Sequence, residues 1–142
     1  MLKLSDNIYN RRQRRDLPKF KLWSSAGLLL TYKCNCSCEF CYYSCSPAKS
    51  GLMSPDVFLS ALKGVKQIAG DAASVHVTGG EPFLFFDHLL KLLEAAKKQG
   101  FKIIDSLETN AFWAQSENKV TESLLLLDKL DVGSIKISCD PF

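Results

Sequence analysis

The chain has 142 residues, with 18 Lys and Arg against 15 Asp and Glu for a net charge of +3; it is 46% hydrophobic, 23% charged and 11% aromatic. That length carries at most one domain, large enough to bury a hydrophobic core. The composition excludes a disordered chain, and no apolar run approaches the roughly 18 residues of a membrane span.

The N-terminus lacks the basic-then-apolar order of a signal peptide, so a cytoplasmic location without a membrane partner is expected. The mild charge gives no reason to expect a nucleic-acid partner. Residues 1–20 are polar and basic, with Arg11, Arg12, Arg14 and Arg15 supplying much of the excess, and read as an arm ahead of a core over 21–142.

From Gly27 the pattern alternates strand and helix. Gly27–Lys33 is a continuously apolar run, as expected of a strand buried on both faces. Ser54-Pro55 predicts a helix start, with Val57, Leu59, Leu62, Val65 and Ile68 as its apolar stripe and Gly70 as its stop. Ser74–Thr78 is the second strand. Asp87 is expected to cap the next helix, which turns Leu89, Leu90, Leu92, Leu93 and Ala96 inward and ends at Gly100. Phe101–Leu107 is the third strand, Val120–Leu130 the third helix and Ser134–Ser138 the fourth strand. Such alternation predicts an α/β fold of parallel β/α units.

Each predicted strand ends in residues that carry chemistry. The first leads into Cys34-Asn-Cys-Ser-Cys38-Glu-Phe40-Cys41, a C-x3-C-x2-C run. Five of the six cysteines fall between Cys34 and Cys45, too densely for a disulfide framework. In a chain of this kind they argue for metal or redox chemistry, and thiolate-only sites favour soft or cluster metals. The second strand ends in Thr78-Gly79-Gly80-Glu81-Pro82, the third in Glu108-Thr109-Asn110 and the fourth in Ser138-Cys139-Asp140-Pro141. In β/α barrels the active site lies at the carboxyl ends of the strands, so these motifs are expected to converge.

Taken together, Cys34, Cys38 and Cys41 with Phe40 before the last cysteine, then Gly79-Gly80-Glu81-Pro82, Thr109-Asn110 and Ser138-x-Asp140, resemble the radical S-adenosylmethionine (radical SAM) superfamily. The resemblance covers about residues 26–142. It implies a 4Fe–4S cluster on Cys34, Cys38 and Cys41 whose remaining iron binds S-adenosylmethionine (SAM). It also implies reductive cleavage of SAM to a 5′-deoxyadenosyl radical that abstracts hydrogen from a substrate, a small molecule or a peptide. An electron donor such as a flavodoxin or ferredoxin is the implied partner. The SAM contacts it implies are Phe40 at the adenine, Gly79, Gly80, Glu81 and Pro82 at the methionine amino group, and Asn110 and Ser138 at the carboxylate or ribose. Glu81 has two open roles, fixing the turn or meeting the ammonium, and Asp140 is open among SAM, substrate and strand end. The resemblance further implies a partial (β/α)6-type barrel. This sequence stops after the fourth predicted strand, so a fragment of a longer protein is expected.

The remaining residues receive plainer readings. Cys36 is expected to point away from the cluster, Cys45 to be a similar loop thiol or a redox-active extra, and Cys139 to pack under a helix. His76 is expected to face the barrel interior as a hydrogen-bonded histidine, and His88 to be exposed. Phe83, Phe85 and Phe86 read as packing, while Phe112 and Trp113 are placed either to shield SAM or simply to pack. The alternative for the whole chain is a non-catalytic zinc or iron–sulfur module, with Cys36 or Cys45 completing a closed set of four ligands.

Overall fold

Four parallel strands, β1 (Ser25–Leu29), β2 (Ser74–Thr78), β3 (Ile104–Thr109) and β4 (Ile135–Ile137), form one sheet in the order of the chain. The structure is a computed structural model that describes Asp16 and residues 23–139. Apart from Asp16, the expected basic arm lies outside the described residues, as does Asp140. Each crossover carries a helix: α1 (Pro55–Ala69), α2 (Phe86–Lys98) and α3 (Glu117–Lys129). This is the predicted α/β architecture, consistent with part of the barrel that the resemblance implies.

Local chemistry sets the helix ends. Ser54 accepts a hydrogen bond from the Val57 N–H (3.3 Å), Pro55 opens the first turn, and Gly70 stops α1 at φ 59°. The inward stripe of α1 is Phe58, Leu62 and Ala69, with Leu59 and Val65 partly buried. Two expected members are outside it, since Val57 is 57% and Ile68 63% exposed. The inward face is thus centred on Phe58 and its i+4 neighbour Leu62.

Asp87 is not a cap. A 3₁₀ turn over Pro82–Phe85 precedes α2, and Asp87 sits within the first helical turn, where its charge complements the helix dipole. The inward face of α2 is as expected, with Leu89, Leu92, Leu93 and Ala96 buried. Helix α3 starts earlier than predicted because Ser116 caps it, accepting from the Lys119 N–H at 3.3 Å.

Alternation along the strands divides the sheet into two faces. Val75, Val77 and Leu107 join Phe58, Leu62, Leu89, Leu92, Leu93 and Leu127 in one apolar core. His76, Thr78 and Glu108 take the opposite face and hydrogen-bond to one another. A bulge sets the second half of this arrangement. Val75 pairs with Ile104, but His76 pairs with Ser106, so Asp105 is an extra residue on β3. Ile104 belongs to the core; strict alternation from it would turn Leu107 inward and Glu108 toward the helices. The extra residue reverses that phase and aims Glu108 beside Thr78.

Candidate active site at the strand ends

Strand β1 ends at Leu29, earlier than predicted: Leu30 N–H still donates to the Thr78 carbonyl (2.8 Å), but beyond it the chain turns to other partners. Met53 N–H donates to the Leu30 carbonyl (2.8 Å), Thr31 bridges Leu52, and Lys33 bridges Ser46. Cys34 N–H then donates to the Ser46 carbonyl at 3.1 Å. The cysteine loop is therefore clipped side by side at its two ends.

The Gly-Gly turn holds that loop from the other side. Gly80 N–H donates to the Thr31 carbonyl (2.7 Å) and Glu81 N–H to the Lys33 carbonyl (2.9 Å). A Cβ on Gly80 would lie 2.1 Å from the Lys33 oxygen and 2.9 Å from the Cys34 nitrogen; one on Gly79 would lie 2.8 Å from the Thr31 oxygen. The close approach that demands glycine here is to the backbone delivering Cys34.

Glu81 is fully buried and fixes the turn. Its Oε1 accepts from Phe83 N–H (3.0 Å) and Thr109 Oγ1 (2.8 Å), and its Oε2 accepts from Asn110 N–H (2.7 Å). The hydrogen bonds fill the first of its two expected roles and tie the end of β2 to the end of β3. Burial raises its pKa, and the donors from Asn110, Phe83 and Thr109 oppose that only in part. Pro82 is buried at the start of the 3₁₀ turn. Behind it, Phe83 stacks on Trp113 at 4.2 Å, and Trp113 Nε1 donates to Thr109 Oγ1 at 3.0 Å. Trp113 thus packs in the core, as do Phe83 and Phe86, whereas Phe112 stays 37% exposed.

In front of this buried frame lies a cavity of about 290 Å³. The cysteine loop contributes Cys34, Cys36, Cys38, Cys41 and Cys45 with Phe40, Tyr42 and Tyr43 to its lining. The strand ends contribute Thr78, Gly79, Gly80, Glu108, Thr109, Asn110 and Ser138. Ser138 N–H continues the ladder to the Thr109 carbonyl at 3.0 Å, which brings its side chain to this rim. Among the described residues, no three cysteine, histidine or acidic side chains close on a single point tightly enough for one ion. The thiols surround a shared space instead.

The thiols are not equivalent. Burial raises Cys41, yet backbone N–H groups of Cys45, Tyr43 and Ser44 and the Cys45 thiol donate to it and leave its pKa below the ordinary value. The Cys45 N–H lies 3.2 Å from Cys41 Sγ. Cys45 is buried, and desolvation together with the neighbouring Cys41 pushes it up to about 11, so it remains a thiol donor. Burial also raises Cys34, against the donated Cys36 N–H at 3.4 Å.

Several expectations need correction. Cys36 does not point away: it lines the cavity, 3.5 Å from Asn110 Nδ2. Cys139 is exposed, because β4 ends at Ile137 and alternation no longer governs it. His88 is half-buried, with Nε2 2.9 Å from the Met53 carbonyl. His76 meets the expectation of a hydrogen-bonded inward histidine, with Nε2 3.1 Å from Glu108 Oε2.

Glu108 and Thr78 belong to the strand-end motifs expected to converge, but the sequence assigns no role to either. Thr78 Oγ1 donates to Glu108 Oε2 at 2.9 Å. Burial raises Glu108, but the His76 and Thr78 hydrogen bonds and the charges of His76 and Lys136 outweigh it, leaving a lowered pKa. An ionised carboxylate only accepts, so His76 Nε2 carries the proton in this contact. The signal was present in the polar residues at alternate positions of β2, but the bulge on β3 hid their partner.

The thiol-lined loop above a parallel β/α sheet, clasped by a Gly-Gly-Glu-Pro turn, is a family arrangement. The sequence profile of the Radical SAM superfamily matches residues 28–140, and the chain belongs to that superfamily. Members of the superfamily use a 4Fe–4S cluster and SAM. A Bacillus subtilis protein provisionally named for peptide biosynthesis, YydG, is 29% identical over 124 residues, covering 83% of this chain and 36% of its own length. A cysteine-type anaerobic sulfatase-maturating enzyme of Clostridium perfringens is 35% identical over 102 residues, covering 61% of this chain and 28% of its own. A Methanocaldococcus jannaschii protein provisionally named a glycyl-radical enzyme activating enzyme is 31% identical over 109 residues, 77% of this chain and 37% of its own. The chain thus spans about a third of the length of these curated relatives.

Proposed function

We propose that residues 21–142 form the cluster-bearing part of a radical SAM enzyme, in which Cys34, Cys38 and Cys41 hold a 4Fe–4S cluster. The observation that carries this reading is that these cysteines line one cavity together with Gly79, Gly80 and Ser138. A multinuclear cluster needs thiolates set around a volume, and a set of donors made of cysteine sulfurs suits iron–sulfur chemistry. When bound, the cluster and SAM supply one-electron cleavage of the sulfonium and a carbon radical that takes hydrogen from substrate.

The protein's own part is to bind and orient. Burial opposes ionisation of Cys41, but the backbone N–H groups of Cys45, Tyr43 and Ser44 and the Cys45 thiol outweigh it and favour the thiolate. Phe40, 89% exposed at the cavity rim, offers an aromatic surface for the adenine. Gly79 and Gly80 present bare backbone to the methionine end, with Glu81 and Pro82 holding that turn from behind. Ser138 supplies a neutral hydroxyl, whereas the Asn110 side chain is turned to the cysteine loop. The relatives' names concern a peptide, a sulfatase and a glycyl-radical enzyme, so the proposed substrate is a peptide or protein. A small electron-transfer protein such as a flavodoxin or ferredoxin is the proposed reductant. No helix among the described residues is long and apolar enough to cross a membrane.

Anaerobic reconstitution followed by metal and sulfide analysis tests the reading. The wild-type chain is expected to take up iron and sulfide in the ratio of a 4Fe–4S cluster. Cys34→Ser, Cys38→Ser and Cys41→Ser should each lose it, while Cys139→Ser keeps it. Stoichiometric zinc without sulfide, lost on Cys36→Ser or Cys45→Ser, would instead establish the structural-module alternative.

A further inference from the structure

Asn110 is held more tightly than a cofactor-contacting asparagine requires. Its backbone N–H is fixed on the buried Glu81 carboxylate at 2.7 Å. Its side-chain Oδ1 accepts the Phe112 N–H at 3.1 Å, an Asx turn. That contact decides the orientation of the amide, because only the oxygen can meet an N–H. The Nδ2 group must then face the other way, toward the cysteine loop. There it donates to Asn35 Oδ1 at 2.9 Å and lies 3.5 Å from Cys36 Sγ and 3.9 Å from Cys34 Sγ.

We infer that Asn110 is a positioning residue that aims its amide N–H groups at the Cys34 side of the loop and raises the reduction potential of the cluster held there. The inference rests on the cluster reading given above. Hydrogen bonds to cluster sulfurs and their ligands are among the levers that set iron–sulfur potentials. One-electron reduction adds negative charge to the cluster and its thiolates. An N–H donor facing those sulfurs therefore stabilises the reduced form more than the oxidised one. The donor is preorganised, because the Asx turn and the Glu81 contact fix it before any cofactor binds. One N–H is donated to Asn35 Oδ1, which leaves the other to face the sulfurs, with Cys36 Sγ nearer at 3.5 Å and Cys34 Sγ at 3.9 Å.

Two variants separate potential tuning from turn formation. Asn110→Ser keeps an oxygen for the Phe112 N–H but lacks the reach to the sulfurs. Asn110→Asp keeps the Asx turn and replaces the donor by a negative charge. Each is reconstituted in the full chain, its iron and sulfide are counted, and the midpoint potential is read by redox titration followed by low-temperature EPR. Asn110→Ser is expected to hold a full cluster that is harder to reduce. At a fixed potential its oxidised-to-reduced ratio should rise by about tenfold, equivalent to ~59 mV for one electron. Asn110→Asp should shift in the same direction and further. Potentials equal to wild type in fully loaded variants would overturn the inference, as would a shift to easier reduction. Cluster loss in both variants would also overturn it, assigning Asn110 to loop architecture alone. A wild-type chain that takes up no cluster would sink the underlying reading instead, so the two failures are distinguishable.

Discussion

Glu81 and Glu108 follow or end neighbouring strands, yet they belong to different worlds. Glu81 sits behind the strand-end turns, fully buried, with both oxygens committed to donors from three residues. Glu108 sits in front, on the cavity wall, with one oxygen held by His76 and Thr78. Their pKa values move in opposite directions, Glu81 up through burial and Glu108 down because its partners outweigh burial. The same residue type is a staple in one place and a presented charge in the other. What separates them is whether neighbouring donors or bulk desolvation dominates.

The comparison breaks hardest at the staple. Glu81→Ala orphans two buried donors, on Phe83 and Thr109, and the half-buried Asn110 N–H, and leaving such groups unmade is expected to cost on the order of 4 kcal/mol in urea unfolding. It should also loosen the cysteine loop, seen as faster alkylation of Cys34. A loss below about 1 kcal/mol would show that the turn is held by other contacts. Gly80→Ala comes next, because its Cβ would meet backbone atoms of Lys33 and Cys34 that have no flexible end to move. A loss of about 3 kcal/mol is expected. Gly64→Ala is its counterpart, with open space around it in α1 and an expected gain of about 1 kcal/mol. Equal effects from the two substitutions would contradict the packing argument.

Smaller effects sharpen the picture. Trp113→Phe keeps the stack on Phe83 and removes the N–H to Thr109, for an expected loss of about 1 kcal/mol in thermal unfolding. Glu108→Gln acts on pH dependence. With its folded pKa lowered, Glu108 contributes stability above the ordinary carboxylate pKa that is lost as pH falls through the lower folded value. The stability gap between wild type and Glu108→Gln should therefore narrow from about pH 7 to about pH 3. Glu81, with its pKa raised, has the opposite sign: stability falls as pH rises from the ordinary value toward the raised one. A gap that widens toward acid pH would mean that His76 and Thr78 do not hold the ionised Glu108.

Much of this was legible in the sequence, for reasons that differ by element. The alternation of strands and helices, the Ser54 cap and the inward face of α2 follow from local rules of periodicity and capping. The cysteine spacing and the Gly-Gly-Glu-Pro turn named the site because their chemistry is dense in sequence. What escaped was set by contacts between distant segments. The end of β1 depends on Thr31 and Lys33 finding partners at Leu52 and Ser46, 21 and 13 positions away. The inward aim of Glu108 depends on one extra residue at Asp105, which no periodicity count reveals. Cys36 was misplaced because a single loop spacing does not say which thiols share a cavity. The orientation of Asn110 depends on Phe112 and Glu81 together, and neither contact is visible in a motif.

Proposed for the cysteine loop, clasped by the strand-end turns, is a cluster with one iron open to SAM. Low-temperature EPR of the anaerobically reconstituted, dithionite-reduced chain, with and without SAM, tests it most directly. A 4Fe–4S signal whose shape changes on adding SAM is the predicted result. A colourless zinc-loaded protein, or a cluster signal indifferent to SAM, would contradict it.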